Sequence, residues 1–163
     1  MIRRTARALT ATALPLFILL AGCATPTFDP AGAQTAVAPW QAVEQSLDDV
    51  DVIWGGAIIK VHHLADVSEI EVLAFPLDRG QRPLPGAPSQ GRFRIRMPGY
   101  VETVDCPEGL FLTARGRLIG RREGLIGSSN YLYPIIGSAQ IRRWPPGYQF
   151  DRYRWSIGVG VVL

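Results

Sequence analysis

Gly91-Arg92-Phe93-Arg94-Ile95-Arg96-Met97 alternates without exception. Successive side chains of an extended chain point to opposite faces, so Arg92, Arg94 and Arg96 line one side and Phe93, Ile95 and Met97 the other. A strand with one apolar and one charged face belongs to a sheet that lies with one side on a core. Upstream, Ser68–Phe75 keeps the same period, setting Glu69 and Glu71 against Ile70 and Val72. Residues 76–90 between them are broken by prolines and glycines and read as a loop. The two strands are therefore expected as hairpin neighbours. If their polar faces coincide, Glu69 and Glu71 pair with the arginine row, each exposed pair contributing about 0.2–1 kcal/mol.

The rest of the chain is largely β in pattern. Val50–Val61 is rich in Val and Ile and contains Gly55-Gly56, the mark of a bulge or the sharp bend of a barrel corner. Leu110–Gly120 reads as a strand, Glu123–Asn130 as a glycine- and serine-containing loop, and Tyr131–Trp144 as a strand. Tyr148–Leu163 is expected as a last strand, with Tyr153, Trp155, Ile157, Val159 and Val161 on one face; the same large-and-small alternation is compatible with a lipid-facing strand. Ahead of the β region, Pro39 opens a short helix with Trp40, Val43 and Leu47 on its apolar face. Five or six strands with glycine bends and one short helix predict an all-β fold, a small antiparallel OB-like β-barrel, since closure removes aggregation-prone edges.

Charge is divided along the chain. Asp29 to Asp78 holds nine acidic residues and one basic, Lys60, whereas Arg79 onward holds thirteen arginines and five acidic residues. Complementary halves of one fold account for this, and so does a basic patch for an anionic partner. On the second reading Arg92, Arg94 and Arg96 form a face for anionic glycan or lipid, because the guanidinium fork suits carboxylate and phosphate.

The N-terminus carries an address. Arg3, Arg4 and Arg7 precede an apolar run, Ala8–Leu20, and then Leu20-Ala21-Gly22-Cys23. This is the order of an export signal ending in a bacterial lipobox. The run is shorter than the roughly 20 residues that span a bilayer. Residues 1–22 are thus expected to be removed and Cys23 to be lipidated, with acyl chains (palmitate among them) as the membrane anchor. In similar lipoproteins Ala24, in place of Asp, implies the outer membrane. Residues 23–39, poor in pattern and rich in Ala, Thr and Pro, read as a flexible tether of about 20–24 Å, and residues 40–163 as the barrel domain. Without its signal the chain has fourteen basic and fourteen acidic residues, so nothing argues for nucleic acid. Acylation of Cys23 leaves Cys106, in an Asp105-Cys106-Pro107-Glu108-Gly109 turn, without an intramolecular disulfide partner.

Motifs of catalysis are absent from the sequence: no Gly-x-Ser-x-Gly, phosphate-binding loop, Cys-x-x-Cys or His-Glu-x-x-His occurs. His62-His63 with Asp66 and Glu69 has metal-ligand residue types, but neighbours on a strand point apart. No metal, no cofactor and no enzymatic activity are expected.

A succession of short motifs resembles the Slp family of outer-membrane lipoproteins, the starvation- or stationary-phase-inducible group. They are Trp54-Gly55-Gly56-Ala57-Ile58, Glu69-Ile70-Glu71-Val72, Pro76-Leu77-Asp78, Gly80-Gln81-Arg82-Pro83, Gly91-Arg92-Phe93, Gly116-Arg117-Leu118-Ile119-Gly120, Gly124-Leu125-Ile126-Gly127, Tyr131-Leu132-Tyr133-Pro134 and Trp144-Pro145. Their order, over most of residues 45–145, carries the resemblance. It implies a lipoprotein facing the periplasm, with a structural or binding role in the envelope and in stress physiology, and it brings no catalytic residues. The partners so implied are the membrane through the lipid anchor and an envelope protein or anionic glycan.

Overall fold

The computed structural model describes residues 25–149. Five strands, β1 (Asp51–His63), β2 (Val67–Phe75), β3 (Arg92–Pro98), β4 (Phe111–Ile126) and β5 (Ser129–Trp144), close into a barrel in the order β1-β2-β3-β5-β4. Strict antiparallel alternation cannot close a ring with an odd number of strands; one seam has to be parallel. That seam is β3–β5, with Arg94 beside Ile135 and Ile95 beside Ile136, and the other four are antiparallel. The order is that of an OB-fold barrel.

Inward positions follow the period of two. Val52, Trp54 and Ile58 of β1, Ile70 and Val72 of β2, Phe93 and Ile95 of β3, Leu112, Ala114 and Leu118 of β4, and Ile136 of β5 form one core. Trp54 meets Phe93 edge-on at 5.4 Å and donates its indole N–H to the Val37 carbonyl at 2.7 Å. Gly55-Gly56 is the corner: a Cβ at Gly56 would run into the Leu73 carbonyl, and the β1–β2 register shifts between Ile58 and Lys60.

The helix, α1, is Pro39–Glu44, and its buried face differs from the expected one. Pro39 and Ala42 are buried while Trp40 is 46% exposed. Ala42 enters the core because a small side chain lets the helix sit close; Leu47 packs against the same core from beyond the helix. Six residues make under two turns, too few for a period to locate a face.

The stretch read as a tether is irregular, and from Thr27 onward it is seated on the barrel. Thr27 Oγ1 donates to the Gly80 carbonyl (3.1 Å), Phe28 makes two hydrogen bonds with the Gln81 amide (2.7 and 2.9 Å), and Ala33 bridges to Asp51. The seat has an apolar reason: Ile53, on the outer side of β1 and 2% exposed, shares a small cavity with Pro26, Pro30 and Leu77. Residues 27–33 thus make contacts with the barrel ahead of α1.

The loop expected at Glu123–Asn130 is a hairpin instead. β4 and β5 stay paired out to Ile126 and Ser129, and only Gly127-Ser128 turns, Gly127 at φ +60°. Cys106 follows a 3-10 turn at Thr103–Asp105, is 3% exposed and is a free, buried thiol among the described residues. Residues 150–163, with most of the expected last strand, and the signal and Cys23 lie outside the described residues.

Candidate functional site

The polar faces of β2 and β3 coincide. Glu69 stands opposite Arg96 and Glu71 opposite Arg94, as the alternation required. The pairs are not exposed, however: Glu69 is 0% and Glu71 5% exposed, and Arg94 8%. The distal part of the β4–β5 hairpin covers them. Tyr133, itself buried, lies on the cluster with the Arg94 guanidinium 4.1 Å from its ring centre. Gly124 is needed beneath it, since a Cβ there would come within 2.8 Å of the Tyr133 ring and 3.1 Å of Arg94.

The sequence-predicted arginines are thus brought together, each against carboxylate. Arg92 donates to Glu71 at 2.7 Å, Arg94 to Glu69 at 3.3 Å with Glu71 at 3.5 Å, and Arg96 to Glu69 through two nitrogens at 3.1 and 2.9 Å. Arg122, from the covering hairpin, adds a contact to Glu69 at 3.3 Å. Sequence reading missed Arg122 and Tyr133, because it ended one strand at Gly120 and read a loop over Glu123–Asn130, so that the paired hairpin carrying both residues over β2 and β3 was not foreseen; Tyr131-Leu132-Tyr133 beside glycines was the available signal. Within the cluster, Arg94 Nε is buried without a hydrogen-bond partner among the described residues.

The electrostatics follow from the packing. Burial pushes the Glu71 carboxyl up, but hydrogen bonds from His62 and Arg92 and the charges of Arg94 and Arg92 outweigh it, holding the group below the ordinary carboxylate range. Burial and the Glu71 charge push the Tyr133 hydroxyl up. It stays a neutral phenol, 3.2 Å from both Glu71 Oε1 and the Leu125 carbonyl, its one proton shared between them. A carboxyl with a depressed folded-state pKa contributes stability that is present above its unfolded pKa, about 4.3, and lost as pH falls through the folded value. Thermal melts between pH 6 and 3 should therefore show a steeper acid loss for the native chain than for Glu71→Gln; parallel curves would remove Glu71 from the account.

The histidines part company. His62 Nε2 lies 2.9 Å from Glu71 Oε2, whereas His63 Nδ1 lies 3.3 Å from Ser68 Oγ and its ring stacks on Tyr100. Among the described residues no three His, Cys, Asp or Glu side chains gather as metal ligands would. Among the described residues, acidic and basic parts of the divided sequence pair in this cluster and where Asp49 and Asp51 meet Arg115 and Arg117.

A profile of the outer membrane lipoprotein Slp family matches residues 20–159. An uncharacterized lipoprotein of Escherichia coli, YeaY, is 31% identical over 91 residues, which are 56% of this chain and 47% of that protein. An uncharacterized protein of Haemophilus influenzae is 32% identical over 98 residues, 60% of this chain and 53% of its own length. The chain thus spans about half the length of these curated relatives. A crystal structure of Schizosaccharomyces pombe Pot1pC bound to single-stranded DNA aligns over 71% of this chain and 87% of its own at 12% identity, with a TM-score of 0.31, a similarity that bears no functional weight.

Proposed function

This chain belongs to the outer membrane lipoprotein Slp family, and from that membership we propose that it is held by an acylated Cys23 as a structural or binding component of the envelope. Residues 1–22 are removed, the barrel faces the periplasm, and its role lies in envelope and stress physiology. The observation that carries this reading is the span of the family match, which opens at Leu20, the first residue of Leu20-Ala21-Gly22-Cys23, and runs through the barrel. The absence of a proposed reaction rests on the site: its carboxylates and guanidiniums are paired with one another under Tyr133, and an external anion on the Arg92, Arg94 and Arg96 face would have to displace Glu69 or Glu71.

Intact mass and density-gradient fractionation test it. The mature protein should begin at Cys23, carry the mass of three acyl chains, band with the outer membrane and resist protease added to whole cells. Cys23→Ser should block acylation. A native chain recovered with a free thiol at Cys23, or banding elsewhere, would defeat the proposal.

A further inference from the structure

A second cationic site lies apart from the buried cluster. At the seat of the N-terminal segment a groove of about 610 Å³ is lined by Thr25, Thr27, Asp78, Arg82, Arg142 and Trp144 among others. The guanidiniums of Arg82 and Arg142 both lie over the Trp144 ring, 5.6 and 5.5 Å from its centre. Neither has a carboxylate within 4.0 Å among the described residues, unlike Arg92, Arg94, Arg96, Arg115, Arg117 and Arg122. Asp78 adds one opposing charge, and its Oδ1 accepts the Arg82 backbone N–H at 2.7 Å.

The groove is built rather than incidental. Trp144, 7% exposed, donates its indole N–H to Thr113 Oγ1 (2.9 Å), which donates to the Gln81 carbonyl (2.6 Å). Gln81 in turn clamps Phe28 through both ends of its side-chain amide. It does so from a left-handed backbone, φ +63°, that a residue other than glycine adopts at a cost. One relay therefore ties the aromatic floor to the lip formed by the segment that follows Cys23.

We infer that this groove receives the phosphate of an anionic phospholipid headgroup from the leaflet that holds the anchor. The inference rests on the acylation of Cys23 proposed above. Cys23 stands two residues ahead of Thr25, a reach of at most about 7 Å, comparable with the thickness of one headgroup layer, about 6 Å. An acylated Cys23 thus sets the groove mouth at the level of lipid phosphates. Two guanidiniums supply the planar donors that phosphate accepts, and a tryptophan in contact with both suits the membrane interface. The volume lies within the range of small-ligand sites, about 300–1,000 Å³.

The test uses the mature lipoprotein in non-ionic detergent micelles, titrated with dihexanoyl phosphatidylglycerol, dihexanoyl phosphatidylcholine or inorganic phosphate. The readout is the indole N–H resonance of Trp144, assigned with Trp144→Phe. Phosphatidylglycerol should shift it saturably and phosphatidylcholine should not. Arg82→Gln with Arg142→Gln should weaken the response about 25-fold, taking about five-fold for each basic residue near an anionic surface. Lys60→Gln, which removes one positive charge from an exposed position of β1, should leave it unchanged, and the double lysine variant, which keeps charge and loses the fork, should fall between. An equal response to phosphatidylcholine, or an undiminished one in a folded double glutamine variant, overturns the inference. Inorganic phosphate matching phosphatidylglycerol overturns the lipid as its source. Intact mass of the same sample reads Cys23 separately, so a missing acyl group and an inert groove are told apart.

Discussion

Glu69→Ala is expected to cost the barrel about 3–5 kcal/mol, the range for breaking a buried ion pair by removing one partner. For a domain of this size that lowers the melting temperature by on the order of 10–15 °C. Glu69 is 0% exposed and receives Arg94, Arg96 and Arg122 between 2.9 and 3.3 Å. Alanine would leave Arg94 buried with one carboxylate, Glu71, at 3.5 Å, and with its Nε already unpartnered. Repulsion among the guanidiniums adds to the cost. Because the penalty comes from an abandoned charge and not from a lost attraction, Glu69→Leu combined with Arg94→Met should recover most of it. Chemical denaturation of the native chain and the two variants decides the matter: a Glu69→Ala chain within about 0.5 kcal/mol of the native one, the scale of an ordinary surface change, would mean that the cluster does not hold the fold.

That cluster also marks how far the sequence could be read. The pairing of β2 with β3 and the faces of Glu69, Glu71 and the arginines were legible, because strict alternation leaves one register that keeps Phe93 and Ile95 inside. Burial of the charged face was not. Alternation tells two sides of a strand apart, but it does not say what lies on the outer one. The cover comes from a segment whose glycines read as a loop: Gly124 is there because Tyr133 occupies the space of a side chain, and Gly127 because the turn needs positive φ. Glycine as a breaker and glycine as a close-packing surface leave the same letter. The groove at Trp144 was hidden for a related reason. Arg82 and Arg142 are sixty residues apart in sequence, and the segment that forms its lip has no pattern of its own. The divided charge gave the right partners in bulk, acidic first part with arginine-rich second, without saying which residues meet.

Tyr133→Ala should separate the cover from the barrel. The side chain is 0% exposed, stacks edge-on with Tyr131 at 4.7 Å and lies over Arg94, so truncation belongs with large aromatic deletions, about 3–5 kcal/mol. Tyr133→Phe keeps the ring and should cost only about 1 kcal/mol, since Glu71 retains Arg92 at 2.7 Å and His62 at 2.9 Å. The loss in the alanine variant should be local. Amide exchange should quicken in residues 120–134, whose pairing runs beyond the β1–β4 ladder, while Val52, Ile70 and Phe93 in the core stay protected. With the hairpin loosened, buried Arg94 joins the half-buried Arg92 and Arg96 as a reachable row, and the variant should be retained on an anionic polysaccharide more strongly than the native chain. Uniform exchange across the barrel would make Tyr133 a core residue like any other. Quickened exchange without a gain in retention would show that Glu69 and Glu71 satisfy the arginines even when uncovered, and the stripe would then be a structural element with no ligand of its own.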